Sequence, residues 1–277
     1  MTAAGAFELG GSHVSVGTVD SATGRLEDAE RIEIDPAWPR DQLVAALQDA
    51  ARVLGGTDCI GAAVPGPFDY ERGICTIHGV GKLDVLYGMD LRALIASAAG
   101  LQPGAVRFLN DAQAFVLGEA VVGAARNERR VIGITLGTGL GSAFLEDGAF
   151  VVSGPRVPDD GELYRVPFRG RPVEDVLSGR GLVARYEGST SPAEIATRAD
   201  TGDPRAAAAY AAFGKDLAAF LEPWIRMFQP TRIVVGGSIA HAWHLFGSML
   251  DPNATIAEHL QDAALFGAAA YAERPDA

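Results

Sequence analysis

Ile134-Thr135-Leu136-Gly137-Thr138-Gly139 carries an apolar run into a glycine turn, and a second run, Ser142 to Leu145, leaves it. The same pattern occurs near the start of the chain, where Phe7-Glu8-Leu9-Gly10-Gly11-Ser12 leads into Val14 to Val19. Both read as strand, glycine turn, strand. Glycine permits the tight turn and leaves backbone N–H groups open to an anion. No Gly-Lys-Ser or Gly-Lys-Thr follows either turn, so neither is a Walker loop. Two hairpins of one design predict two related α/β units facing one cleft, each turn directing donors at the same phosphate chain.

The remaining elements can be placed outward from these hairpins. Glu30 to Ile34 adds a third strand to the first one. Leu43, Leu47, Ala50 and Leu54 repeat at helical spacing behind Asp41 as a cap, and Ile60 to Val64 is a buried-strand run ending in Pro65-Gly66-Pro67. Asp90 caps a helix with Leu91, Leu94, Ile95 and Ala98 on one face. Val106 to Leu109 is a strand ending at Asn110-Asp111, with a helix following to Ala125. The second half reads as helices over 172–185, 192–198, 204–228, 240–250 and 260–272. They are interrupted by a strand, Arg232 to Val235, that ends in Gly236-Gly237-Ser238.

The chain has 277 residues, about two domains at ~150 residues each. Apolar residues make up 48% and charged residues 21%, a globular balance. Lys and Arg number 23 against 35 Asp and Glu, a net charge of -12 that repels phosphate backbones and anionic lipids. No nucleic-acid or membrane partner is therefore expected. Two cysteines, Cys59 and Cys75, are too few for a disulfide scaffold and point to a reducing, cytoplasmic setting. No signal peptide is expected at Met1 to Gly11, nor is there a run of ~20 apolar residues to span a membrane.

Each candidate for chemistry has a functional and a bland reading. Gly10-Gly11-Ser12 with Glu8 is a phosphate-cradling hairpin whose carboxylate reaches a hydrated metal ion, or an ordinary tight turn. Gly137-Thr138-Gly139-Leu140-Gly141 and Gly236-Gly237-Ser238 are phosphate and nucleotide turns, or plain connections. Asn110-Asp111 stands at a strand's carboxyl end, where open α/β sheets bind ligands, so Asp111 reads as a general base and Asn110 as a hydroxyl ligand. The same pair also reads as a helix cap. Glu162 and Glu174 accept from sugar hydroxyls or are solvated surface charge. His241 and His244, three apart, are a metal pair with no third ligand near in sequence, which favours a structural role.

Taken together, Phe7 to Ser12, Ala63-Val64-Pro65-Gly66-Pro67, Leu109-Asn110-Asp111-Ala112-Gln113-Ala114, Thr135 to Gly141 and Val234-Val235-Gly236-Gly237-Ser238 resemble the ROK family (repressor, open reading frame, kinase) over nearly the whole chain. The resemblance implies a two-lobed, actin-like (ribonuclease H-like) ATPase fold with a cleft between lobes. The division would fall after Ala112, into 1–112 and 113–277, with a helix over about 261–274 available to pack on the first lobe. It also implies a homodimer that binds a small-molecule sugar and a nucleotide, and transfer of the terminal phosphate of ATP, with Mg²⁺, to O6 of glucose or a related hexose.

Residue by residue, the resemblance makes Asp111 the catalytic base. It makes Gly66, Asn110, Asp111, Glu162, Arg165 and Glu174 sugar-binding. Gly10, Gly11, Ser12 and His13, Gly137, Thr138 and Gly139, and Gly236, Gly237 and Ser238 would bind phosphate and nucleotide. Glu8 would hold Mg²⁺ through water. Three departures stand out. Glu8 replaces the family's Asp, Arg165 replaces its His, and no Cys or His lies between Arg165 and Glu174, so no structural zinc is expected. The zinc-free form is similar to polyphosphate- and ATP-using glucokinases, which leaves the donor open. No room is expected before about Ala6 for the helix-turn-helix of the family's repressors. A non-catalytic sugar-binding or regulatory member is the rival expectation. Glu8 and Arg165 favour it, while Asp111 and the three glycine turns favour a kinase.

Overall fold

The computed structural model describes residues 3–20, 23–79, 83–188 and 191–274. They divide into two compact units, Met1–Val122 with Asp262–Ala277, and Gly123–Gln261.

In the first unit the chain runs β1 (Ala3–Leu9), β2 (His13–Asp20), β3 (Arg25–Glu33), α1 (Arg40–Val53), β4 (Cys59–Val64), a small hairpin of β5 (Phe68–Asp69) and β6 (Ile74–Cys75), α2 (Leu91–Ala99), β7 (Val106–Asn110) and α3 (Asp111–Val121). Five strands form one sheet in the order β3-β2-β1-β4-β7. β1, β2 and β3 pair antiparallel, whereas β4 and β7 join β1 in parallel. The central strand β1 is apolar on both faces because both are covered. Phe7 and Leu9 enter the core with Leu43 and Leu47 of α1 and Ile95 of α2. Ala4 and Ala6, one residue out of phase, meet Leu265, Phe266 and Ala269. Glu8 shares that second face. The edge strand β3, rich in charge, lies largely exposed, as a sheet edge that must not pair with another chain should.

The second unit repeats the plan with β8 (Arg130–Leu136), β9 (Leu140–Glu146), β10 (Ala149–Phe150), α4 (Gly179–Val183), α5 (Pro192–Asp200), α6 (Pro204–Phe228), β11 (Arg232–Gly236), α7 (Trp243–Phe246) and β12 (Ala254–Ile256). Its sheet order is β10-β9-β8-β11-β12, with the first three strands antiparallel and the last two parallel to β8. That is the order and sense of the first sheet. Asp203 starts α6 by accepting from the Arg205 and Ala206 N–H groups, and Pro204 occupies the first helical position. Tyr210, Phe213, Leu217 and Phe220 of α6 line one face and form the core with Phe144 and Phe246.

The chain then returns to the first unit with α8 (Ala263–Ala272), which crosses α3 at very close range. A Cβ on Gly118 would stand 1.9 Å from the Ala263 carbonyl oxygen, and one on Gly267 1.8 Å from that of Ala114. Only glycine fits at this crossing. It explains why α3 groups with the first unit, so that the division lies after Val122 and not after Ala112.

Local structure departs from the sequence reading in a few places. Asp41 lies inside α1, whose N-cap is Pro39. The helix expected over 172–185 is a 3-10 turn at Val173–Asp175 followed by the short α4. There the backbone of Gly181 presses on Val176, and the Gly179 N–H turns away to donate to Gly137 O at 2.7 Å. The helix expected over 240–250 is broken into 3-10 turns at Ser238–Ala242 and Gly247–Met249 on either side of α7, with Gly247 packed under the Trp243 indole. Ser21 and Ala22, between β2 and β3, lie outside the described residues. No helix among the described residues is long and apolar enough to cross a membrane.

Candidate active site

In the first unit the candidate residues gather at the carboxyl ends of β1, β4 and β7. Gly10 N–H donates to His13 O at 2.8 Å, closing the hairpin, so Gly11 and Ser12 are the turn donors left for a phosphate. The His13 ring lies flat against Gly10, where a Cβ would come within 2.5 Å of Cε1. Its Nε2 is 4.0 Å from Glu8 Oε2. Both Glu8 Oε2 and His13 Nδ1 are buried without a hydrogen-bond partner. Burial, then the negative charge of Asp111, push the Glu8 carboxyl up to about 7, with Arg31 opposing and Asp262 adding to the rise. Burial and Arg31 hold the His13 imidazole below its usual range.

Asn110 and Asp111 hold the first turn of α3. Asn110 is the N-cap: its Oδ1 accepts from Ala112 N at 2.9 Å, and Gln113 Oε1 accepts from Asn110 N at 3.4 Å, a capping box. The bland reading of Asn110 is therefore true of its carbonyl. Its amide nitrogen does something else and donates to the Tyr70 hydroxyl at 3.1 Å. Asp111 Oδ1 also accepts from Ala112 N, at 2.9 Å. A carboxylate there is favoured by the positive end of the helix dipole. Gly66 follows β4, and a Cβ on it would lie 3.5 Å from the Tyr70 hydroxyl. Tyr70, Arg31 and Asp262 were not anticipated. They come from separate parts of the chain, and no motif marks them.

In the second unit the glycine turn is braced. Gly137 N donates to Gly139 O at 3.0 Å and Gly137 O accepts from Gly179 N, which leaves Thr138 and Gly139 as donors for a phosphate. Glu174, expected to grip a sugar hydroxyl, has Oε1 accepting from Leu140 N at 3.0 Å, against the backbone of Gly139. Ser178 Oγ in turn donates to Glu174 O at 2.5 Å. Gly237, at φ +83°, passes so close to Leu136 that a Cβ would lie 2.4 Å from its carbonyl oxygen. Ser238 Oγ stands 3.4 Å from the Cβ position of Gly137. The second turn and the Gly236-Gly237-Ser238 segment thus adjoin.

Glu162 and Arg165 belong to a loop hung on β9. The buried Ser142 hydroxyl donates to Gly161 O at 2.7 Å and accepts from Leu163 N at 2.8 Å. Arg165 Nε lies 2.6 Å from Glu162 Oε2, and its Nη1 lies 3.1 Å from Asp160 Oδ2. A bond to the Tyr164 hydroxyl raises the guanidinium further above its ordinary pKa, with Glu162 helping. Arg165 therefore acts on its own loop. His244 pairs with Asp200 at 2.7 Å, and Cys59 and Cys75 are free thiols. Among the described residues no three His, Cys, Asp or Glu side chains group around a metal position.

Known proteins resemble this chain in sequence and in fold. An N-acetyl-D-glucosamine kinase from Yersinia pseudotuberculosis serotype O:3 (strain YPIII) is 28% identical over 263 residues, 85% of this chain and 83% of that protein. A ROK family glucokinase from Streptomyces griseus, solved in complex with glucose and AMPPNP, superposes with a TM-score of 0.77 at 22% identity, over 97% of this chain and 98% of that one. An inorganic polyphosphate/ATP-glucomannokinase from Arthrobacter sp. strain KM gives 0.71 at 23% identity, covering 98% of each. The solved structures establish the actin-like fold. With the ROK family model matching residues 4–274, the chain belongs to the ROK family.

Proposed function

We propose that this protein is a sugar kinase that transfers the terminal phosphate of ATP to a hexose hydroxyl, with Asp111 as general base. The observation that carries the reading is the placement of Asp111 on the first turn of α3, beside a capped Asn110 and near the buried Glu8. Phosphoryl transfer asks the protein chiefly for positioning and charge stabilisation. A sugar hydroxyl needs a carboxylate to take its proton late in the reaction, and Asp111 is fixed by a strand end and a helix start. Asn110 and Gly66 lie beside it for neighbouring hydroxyls. On the second unit, Thr138, Gly139 and Ser238 supply donors to the nucleotide phosphates, and Glu174 shapes the turn that presents them.

The orphaned Glu8 oxygen, opposed by Asp111 and Asp262, fits a hydrated Mg²⁺, which when bound neutralises phosphate charge. The names of the Yersinia and Streptomyces proteins frame the acceptor as N-acetylglucosamine or glucose, and the exposed primary hydroxyl, O6, is the position assigned in this reading. Arg165, used within its own loop, supports a neutral sugar over an anionic one.

An assay that detects the sugar phosphate itself, over a panel of hexoses and N-acetylhexosamines, with ATP or polyphosphate and with or without Mg²⁺, tests this. Phosphorylation of one neutral hexose class is expected. No turnover with any donor, alongside measurable sugar binding, would establish a binding or regulatory protein instead.

A further inference from the structure

We infer that Tyr70 is a positioning residue for sugar recognition, which sets the orientation of the Asn110 amide; the inference rests on the kinase reading and extends it. The Tyr70 hydroxyl donates to Val64 O at 3.2 Å, so toward Asn110 it acts as an acceptor. It receives Asn110 Nδ2 at 3.1 Å. With Oδ1 already on Ala112 N, the two bonds fix which end of the amide points where. Without the hydroxyl, rotation about the terminal torsion is opposed by the cap alone.

Tyr70 is itself held from the other side. The Arg92 guanidinium donates to Tyr70 O at 3.3 Å and Glu71 O at 2.7 Å, and sits 5.7 Å from the Phe108 ring centroid. The Tyr70 ring packs on Phe68 at 5.3 Å. A hydroxyl anchored on a rigid hairpin thus bridges the ends of β4 and β7, within reach of Gly66. One of the two amide hydrogens of Asn110 is occupied, and its second is directed by that bond. A substrate hydroxyl at this point therefore meets a donor, which selects for an oxygen that can accept.

Tyr70→Phe keeps the ring packing, and Asn110→Ser keeps the helix cap while removing the amide. Sugar affinity is measured by calorimetry for the parent, both single variants and the double variant, with melting temperature and nucleotide affinity alongside. Tyr70→Phe is expected to weaken sugar binding about 3- to 10-fold, the effect of one net hydrogen bond. Nucleotide affinity and kcat should stay within about threefold. In the Asn110→Ser background the same change should have no further effect, because the two act as one unit. Unchanged sugar affinity in a folded Tyr70→Phe variant overturns the inference alone, and so does an undiminished effect in the Asn110→Ser background. A parent that binds no hexose overturns the kinase reading and this inference with it. If Tyr70→Phe fails to fold, Tyr70→Met, a smaller and adaptable apolar side chain that also lacks the hydroxyl, is read in the same cycle with the same outcomes.

Discussion

The two glycine hairpins have the same topology and differ in how their polar groups are paired. Each joins the central strand of a five-stranded sheet to its antiparallel neighbour, and in each the first glycine N–H closes the turn on itself. Around Gly137-Thr138-Gly139 the polar groups are paired: Glu174 Oε1 accepts from Leu140 N, and Gly179 N donates to Gly137 O. Around Gly10-Gly11-Ser12 the Glu8 oxygen and the His13 nitrogen are buried without hydrogen-bond partners. A buried polar atom left unpaired costs on the order of 1–3 kcal/mol. Folding alone gives no reason to keep it, so the first hairpin is where a ligand is expected to complete the structure, and the second is ready without one.

The largest test of this contrast is Asp111→Asn. If the reactive half lies in the first unit, turnover should fall by ~10²–10⁴, the range for removing a general base. Substrate affinities should stay within a few-fold and the melting temperature should hold, because Asn can accept the same backbone bond. Turnover within threefold of the parent would reduce Asp111 to a helix-start residue and erase the contrast.

Glu8→Gln comes next and tests the unpaired oxygen directly. The folded state holds the Glu8 carboxyl at about 7, above the 4.5 of an exposed one, so it keeps its proton longer than the unfolded chain does. Stability from this group is complete below pH 4.5 and is lost as pH rises through about 7. The parent should therefore weaken between pH 5 and pH 8 by up to about 3 kcal/mol, at ~1.4 kcal/mol per pKa unit. Glu8→Gln should lack that slope and be the more stable at pH 8. Added Mg²⁺ should stabilise the parent at pH 8 and leave the variant unmoved. Parallel melting curves for both proteins across this pH range would show that Glu8 is not strained.

The smallest expected effect belongs to Glu174→Ala. Loss of a hydrogen bond to a charged acceptor is worth about 1.5 kcal/mol at the low end, or about tenfold in affinity. If Glu174 braces the second turn, nucleotide affinity should fall by that factor and sugar affinity should stay within a few-fold. The reverse pattern would return Glu174 to the sugar pocket and make both hairpins look alike.

The glycine turns were legible because local conformation dictates them, and once two were found the paired sheets followed. Helix ends marked by a single side chain were legible as well: Asp90 caps α2 by accepting from Ala93 N at 2.8 Å. What escaped depended on distant partners. The Asn110 bond to Tyr70 spans 40 residues, and the Ser142 bonds that hang the Glu162 loop span 19 and 21. No spacing rule links such positions. The helix over 172–185 was misjudged for the same reason. Its apolar periodicity is genuine, but Gly179 is drawn away by Gly137, some forty residues upstream. The ion pairs of Arg165 with Asp160 and Glu162 are equally invisible to composition, with Asp160 in the left-handed region at φ 58°.

The crossing of α3 and α8 bears on how the molecule is made. On the ribosome, synthesis proceeds at ~5–20 residues per second and domains tend to fold as they emerge. The second unit is one uninterrupted stretch and can close as soon as it is out. The first cannot, because the helix that seals Gly118 is translated after the entire second unit. During that interval α3, with Asp111 at its start, has no partner for its glycine face. A nascent chain halted before α8 should thus carry a protease-resistant second unit and a protease-sensitive first one, and catalytic competence should arrive only once α8 has emerged.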